Sequence, residues 1–229
     1  MDPSNRHSCT GSKLLKRDTF GSVLLCTNNQ GSAYIVRDTR SAMTFAGPLA
    51  RWLMRREARA LGRLPSSISA PQLIWLDKYS LARTFVEGQT MYEAQPSDRQ
   101  YFPSARKALH RQHRANISHK DLAKEPNWLV DPAGQPALVD FQLASVHRKR
   151  SALFRLQARE DIRHLLKHKR TYRPDLLTQR ELAILAQPSL PSRIWRSTGK
   201  RLYWFVTRRI LHWADRAGAA DRGRSSEKC

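Results

Sequence analysis

Acidic residues are scarce in this chain of 229 residues, which has 19 Asp and Glu against 41 Lys and Arg and a formal net charge of +22. Hydrophobic residues still make up 40% and aromatic residues 8%, so a disordered basic tail is excluded. The length suits one substantial core or two small lobes. Because 30 of the 41 cations are arginines, we expect anionic partners: nucleic acid, an anionic membrane or a phosphorylated substrate. A surface charge set only by genome composition is the alternative.

Long apolar runs and paired cysteines are also missing. No stretch reaches the roughly 18 uninterrupted apolar residues of a membrane span, and residues 1–10 lack the apolar run of a signal peptide. Cys9, Cys26 and Cys229 are odd in number and widely spaced, which fits neither a disulfide framework nor a zinc site. We therefore expect a protein of a reducing compartment, in the cytoplasm or peripheral on the cytoplasmic face of the inner membrane.

The apolar pattern predicts strands first and helices later. Two β-like runs, 22–27 and 33–37, flank turn residues and predict a hairpin. Apolar residues at spacings of three and four predict a helix over 48–64, ended by Pro65. The remaining predicted elements are short strands near 73–75, 81–86, 128–130 and 137–139, a helix over 104–115, and helical structure from about 151.

This order predicts an α+β chain of two lobes, a strand-rich N-lobe over 13–88 with one helix and a mostly helical C-lobe over 89–190. The boundary is expected near Glu87 and Gly88, where polar residues follow a strand. Outside the lobes we predict flexible segments at 1–12 and 217–229 and a basic helical tail at 191–216. Apolar and aromatic side chains share one face of that tail, which favours an anionic membrane interface; packing on its own domain is the alternative.

Two segments carry the clearest chemistry. Residues 119–130 read HKDLAKEPNWLV, and residues 138–142 read LVDFQ. They resemble the H-x-D-L-x-x-x-N and D-F-G loops of protein-kinase-like phosphotransferases. The resemblance implies Asp121 as catalytic base, Lys124 as a cation beside the transferred phosphoryl group, and Asn127 and Asp140 as Mg²⁺ ligands. One extra residue precedes the Asn, and Gln142 replaces the glycine of D-F-G.

The same resemblance extends upstream, where the family binds ATP. Gly21 and Val23 correspond to the end of the glycine-rich loop, although Lys16 and Asp18 occupy its earlier glycine positions. Arg37 occupies the position of the phosphate-binding Lys, and Glu57 that of its helix partner. Pairing of Glu57 with neighbouring arginines on the helix surface is the alternative. Residues 85–88, with Glu87, resemble the hinge that binds adenine.

Further residues decide the branch of the family. Asp161 resembles the helix Asp that braces the catalytic loop, within a run similar to the R-D-x-x-x-L-L of bacterial lipopolysaccharide kinases. Only 21 positions separate Asp140 from Asp161, without an A-P-E segment, which disfavours eukaryotic-type protein kinases. We expect His119 to be a structural core residue. His147, His164 and His168 are expected on the solvated surface.

The resemblance, which covers about residues 15–166, therefore implies a bilobal protein-kinase-like fold and an ATP- and Mg²⁺-dependent kinase. It is closest to the small bacterial kinases of Kdo or heptose in the lipopolysaccharide core, with an anionic or lipid-linked sugar as acceptor. The alternatives are a serine/threonine protein kinase of Rio type, a non-catalytic pseudokinase and an RNA-associated scaffold. The oligomeric state stays open.

Overall fold

The computed structural model describes residues 11–187. Its first part is an antiparallel sheet of five strands in the order β1-β2-β3-β5-β4. The strands are β1 (Gly11–Asp18), β2 (Gly21–Thr27), β3 (Ala33–Asp38), β4 (Leu73–Leu76) and β5 (Ser80–Thr84). The predicted hairpin is confirmed as β2 and β3. The side chain of Asn28 closes its turn by accepting hydrogen bonds from the backbone of Gln30 and Ser32.

Strand β1 was not predicted, because it lacks the alternation of a half-buried strand. It lies at the edge of the sheet, seven of its eight residues are exposed, and it carries Lys13, Lys16 and Arg17. Charged side chains on an edge strand discourage pairing with another chain. The strand nevertheless pairs with β2 and so builds the β1–β2 turn at Thr19 and Phe20, where the resemblance expects the phosphate-binding loop.

Helix α1 (Gly47–Leu61) packs on this sheet. Its buried residues Met54 and Ala58 contact Leu81 of β5. The predicted end at Pro65 was wrong: the helix ends at Leu61, and the backbone N–H of Gly62 caps it by donating to Ala58. Gly62 itself keeps right-handed dihedrals, with a φ of −66° and a ψ of −7°, and the backbone N–H groups of Arg63 and Leu64 tighten the last turn by donating to Ala60 and Leu61.

The second part is mostly helical, as predicted. Its helices are α2 (Met91–Ala94), α3 (Tyr101–Arg114), α4 (Ala152–Tyr172) and α5 (Gln179–Ala186). Short strands form two small sheets: β6 (Gln89–Thr90), β8 (Trp128–Val130) and β9 (Pro136–Leu138) in one, and β7 (Ile117–Ser118) with β10 (Ser145–Val146) in the other. The core of this part lies between α3, α4 and the small sheets. Its largest fully buried side chains include Trp128, Tyr101 and Phe141.

The predicted boundary near Glu87 and Gly88 falls in the linker 85–88, which joins β5 to β6. Gly88 has a φ of +154°, and a Cβ there would lie 2.7 Å from the carbonyl oxygen of Val130. The linker therefore passes directly against the β8–β9 hairpin. Within residues 11–187, no helix is long and apolar enough to cross a membrane. The predicted tail at 191–216, the segment 217–229 and residues 1–10 lie outside the described part.

Candidate active site

Asp121 lies on the loop between β7 and β8, and two side chains fix its carboxylate. Lys124 Nζ lies 2.8 Å and Asn127 Nδ2 3.0 Å from Asp121 Oδ2. The Asn127 amide also donates to the backbone oxygen of Asp121 at 2.8 Å. The extra residue before Asn127 is accommodated in a 3₁₀ turn over Glu125–Asn127. Both contacts fall on Oδ2, which leaves Oδ1 for an incoming hydroxyl.

Asp161, on α4, supports this loop from the core. It is 1% exposed, and its two oxygens accept hydrogen bonds from the backbone N–H groups of His119 and Lys120, each at 2.8 Å. His113 Nε2 lies 3.1 Å from the same carboxylate. Lys120 has a φ of +73°, an uncommon conformation that its surroundings must hold. Asp161 is therefore a positioning residue for the segment that presents Asp121.

Buried histidines hold the same loop. His168 Nε2 lies 2.8 Å from the carbonyl oxygen of Leu122, which also accepts from Trp128 Nε1. His119 is fully buried beside Phe141, as expected for a core residue, and burial lowers its pKa. The expectation that His147, His164 and His168 lie on the solvated surface was wrong.

All three of those histidines belong to the packed interior or its margin. His147 is half-buried and lies 3.0 Å from Gln157, while burial lowers the pKa of His168 and brings that of His164 to about 4. Sequence reasoning misplaced them because it treated them as part of the basic surface. The helical positions of His164 and His168, one turn apart on α4, could have indicated a shared face toward the loop.

Asp140 begins the 3₁₀ turn that follows β9, in the left-handed conformation with a φ of +62°. Its Oδ1 is buried and has no hydrogen-bond partner among the described residues. The backbone N–H of Val139 donates to the backbone oxygen of Asn127 at 3.1 Å. The two predicted metal ligands, Asn127 and Asp140, therefore lie at neighbouring ends of β8 and β9. A buried carboxylate oxygen without a donor beside an amide fits a hard divalent cation.

The number of donors suits a cation that needs few protein ligands. Among residues 11–187, no three His, Cys, Asp or Glu side chains form a metal-binding group. Mg²⁺ is commonly held by one or two protein oxygens together with water and substrate phosphates. Asp140 and the side-chain amide oxygen of Asn127 are therefore the protein ligands that this site can offer.

Glu57, on α1, forms a buried cluster with two arginines, which we call the Glu57 cluster. Glu57 is fully buried; Arg37 Nε lies 3.3 Å from its Oε2, and Arg83 Nη1 lies 3.1 Å from its Oε1. The pairing with Arg37 agrees with the resemblance, and the alternative of a helix-surface pair is wrong. One carboxylate faces two permanent cations, so the cluster keeps one positive charge.

Arg83 was missed by sequence reasoning. Its partner lies 26 positions away, outside any local spacing. The strand register was the available signal: Ile35 pairs with Arg83 and Arg37 with Leu81, so Arg37 and Arg83 share one face of the sheet. An arginine on the buried face of a strand requires an anion as its partner.

Gly21 and Val23 lie on β2, next to the β1–β2 turn. Gly21 has a φ of +124°, and a Cβ there would lie 2.2 Å from the backbone oxygen of Asp38. Gly21 is therefore required by the close approach of β3. Val23 pairs with Arg37 and is half-buried on the face of the sheet that carries the Glu57 cluster. Glu87 is exposed in the linker.

Arg56, a neighbour of Glu57, ties α1 to the segment after Asp140. Its guanidinium donates to the carbonyl oxygens of Ala144 at 2.7 Å and Leu143 at 2.8 Å, and to Ser145 Oγ at 2.6 Å. These bonds, which we call the Arg56 clamp, hold the helix of Glu57 against the segment that follows Asp140. In the sequence, Arg56 is one of several arginines around Glu57, and nothing distinguishes it from the others.

No known family model matches the chain, and no curated protein matches it. Among solved structures, the chain is similar to the crystal structure of the Rio2 kinase from Chaetomium thermophilum, with a TM-score of 0.54 and 12% sequence identity. The match covers 82% of this chain and 73% of that chain. The likeness shows a protein-kinase-like fold and confirms the predicted bilobal α+β class.

Proposed function

We propose that this chain is an ATP- and Mg²⁺-dependent phosphotransferase that phosphorylates an alcohol hydroxyl. One observation carries the proposal: Asp121 is held by Lys124 and Asn127, while Asp140, at the adjacent hairpin end, keeps a buried oxygen without a donor. A fixed base and a buried carboxylate oxygen that can bind a cation are what transfer of a phosphoryl group to a hydroxyl requires.

The residues divide the reaction as follows. Asp121 Oδ1 orients the acceptor hydroxyl and takes its proton as the oxygen bonds to the γ-phosphorus and the bond to the ADP oxygen breaks. Lys124, 2.8 Å from Asp121, supplies positive charge beside the transferred group. Asp140 and Asn127 would hold Mg²⁺, which when bound neutralises charge on the phosphates.

The Glu57 cluster supplies the charge on the nucleotide side. The cluster keeps one positive charge, and arginine remains protonated in proteins, so it offers a permanent site for the α- and β-phosphates. The linker 85–88, against the β8–β9 hairpin, is the part we assign to the adenine ring. Glu57 fixes the arginines and does not itself contact the nucleotide.

For the acceptor we propose an anionic lipopolysaccharide-core or lipid-linked sugar. The net charge of +22 supports it, because a strongly basic surface concentrates anionic substrates and attracts the protein to an anionic inner leaflet. A serine/threonine protein kinase of Rio type is the second candidate. It is favoured by the structural likeness to the Rio2 kinase.

The test incubates the purified full chain with γ-labelled ATP and Mg²⁺ and either a lipopolysaccharide-core extract or a basic protein substrate. We expect label in the core sugar, and Asp121→Asn should lower the rate by about 10²–10⁴-fold. Asp175→Asn, an exposed aspartate on the 3₁₀ turn after α4, is the matched control and should keep the rate.

The outcomes separate the candidates. Label on protein alone supports a serine/threonine protein kinase of Rio type and refutes the sugar acceptor. Absence of ATP binding and of label in either fraction refutes the enzyme and leaves a pseudokinase or an RNA-associated scaffold. Transfer that survives Asp121→Asn at the control rate refutes the assigned base.

A further inference from the structure

A stripe of exposed apolar side chains runs along the outer side of α1. Phe45, just before the helix, is 77% exposed, Leu49 48% and Trp52 53%. The spacing of three residues places Leu49 and Trp52 on one helical face, and Phe45 lies in the turn that leads into the helix. Arg55 and Arg59, also exposed, continue the same face toward the C-terminal end of the helix. We call these five residues the α1 stripe.

Negative charge is absent from the surface of this stretch. Between residues 39 and 76 the single acidic residue is Glu57, and its carboxylate is fully buried against two arginines. Asp38 and Asp77 bound the stretch, and Asp38 is paired with Arg40. The α1 stripe therefore presents aromatic and aliphatic groups beside unopposed guanidinium groups.

The tryptophan of the stripe is held in place from behind. The guanidinium of Arg56 lies 5.0 Å from the centre of the Trp52 ring, and Arg56 is itself fixed by the Arg56 clamp. A ring held in one orientation loses little conformational freedom on binding. The exposed ring of Trp52 therefore needs little further ordering when it binds a partner.

We propose that the α1 stripe docks on an anionic lipid surface. Aromatic and aliphatic side chains enter the boundary between headgroups and acyl chains, and arginines bind headgroup phosphates with their planar forks. Charge complementarity selects this occupant, because the stripe lacks carboxylates and each cation near an anionic surface adds attraction. The inference does not depend on catalysis. Since Glu57 lies on the opposite, buried face of α1, docking would fix the orientation of the Glu57 cluster relative to the membrane.

Vesicle flotation tests the proposal with the full chain. We expect binding to vesicles of phosphatidylcholine with phosphatidylglycerol, no binding to phosphatidylcholine alone, and release at high salt. The double variant Phe45→Ser and Trp52→Ser should weaken partitioning at least about tenfold, since two large side chains no longer leave water. The matched control, Ile74→Ser with Leu153→Ser, removes two apolar groups outside the stripe that are 50% and 58% exposed, and it should change partitioning less than about twofold.

A probe at the stripe separates it from the rest of the chain. Phe45→Cys, in a background of Cys9→Ser and Cys229→Ser, carries an environment-sensitive dye; Cys26 is buried. We expect a blue shift on adding anionic vesicles and quenching by brominated lipid. Vesicle binding without a dye response would refute the stripe as the contact. Absence of vesicle binding would also refute the proposal. So would a dye shift that appears only on formation of a dimer or of an RNA complex and not on adding vesicles.

Discussion

Replacing Glu57 by Gln removes the charge of one side chain while keeping its shape. Arg37 and Arg83 are each 12% exposed and lie on the two oxygens of this carboxylate. The variant leaves both guanidinium groups in the interior without an anion. Arginine stays protonated in the interior, so the two uncompensated charges lower the free energy of unfolding.

Removing one partner of a buried ion pair costs about 3–5 kcal/mol, and here one substitution strands two cations. At about 2–4 °C per kcal/mol for a chain of this size, the unfolding midpoint should fall by roughly 6–20 °C. Arg83→Met should cost less than about 1 kcal/mol, because Glu57 keeps Arg37 and the methionine fills the apolar space. Combining Arg83→Met with Glu57→Gln should restore at least about 1 kcal/mol relative to Glu57→Gln alone.

Urea unfolding of the four full-length proteins, followed by circular dichroism, gives these free energies. Glu87→Gln, at an exposed glutamate of the linker, is the control for loss of a negative charge and should be neutral. If Glu57→Gln costs no more than Arg83→Met, or the double variant shows no recovery, the carboxylate does not balance two buried cations and the description of the cluster fails.

Three further outcomes follow from the geometry. Asp161→Asn should lower stability by about 2–4 kcal/mol, because an amide cannot accept from both backbone N–H groups, and turnover should fall with it; unchanged unfolding in urea would contradict the bracing role. Gly21→Ala should cost about 1–3 kcal/mol more than Gly31→Ala, which shares a positive φ but meets open space; equal midpoints in thermal unfolding would exclude a clash with Asp38. Because the pKa of His164 falls from 6.5 to about 4 on folding, the unfolded chain binds the extra proton between these values. Stability should drop by up to about 3 kcal/mol as the pH falls through that window, and His164→Met should flatten the curve of unfolding free energy against pH.

The order of elements could be predicted because apolar spacing and turn residues report local structure. The hairpin of β2 and β3 and the helices α1, α3 and α4 were found in this way. Strand β1 escaped because an exposed edge strand has no apolar face to reveal it. The end of α1 was misplaced because Pro65 is the stronger breaker in sequence, whereas Gly62 caps the helix first.

In the site, too, local sequence patterns could be recognised and contacts between distant elements could not. Asp121, Asn127 and Asp140 stand in a motif whose spacing is visible in the chain, and the pairing of Arg37 with Glu57 followed from the family pattern. Arg83 and the Arg56 clamp depend on contacts between elements distant in sequence: Arg56 reaches residues 87 to 89 positions away. The catalytic, nucleotide-binding and metal-binding roles assigned to Asp121, Asn127, Asp140, Arg37 and Glu57, and to Gly21, Val23, Lys124, Glu87 and Asp161, stay predictions.

The Arg56 clamp has a consequence for the time course of the proposed phosphoryl transfer. Swinging α1 away from the segment after Asp140 would break three hydrogen bonds at once, which costs about 2–4 kcal/mol. At equilibrium, a few per cent of molecules at most would occupy such a displaced state. A freshly mixed sample should therefore form product linearly from the first seconds, without the lag of an enzyme that must first be switched on.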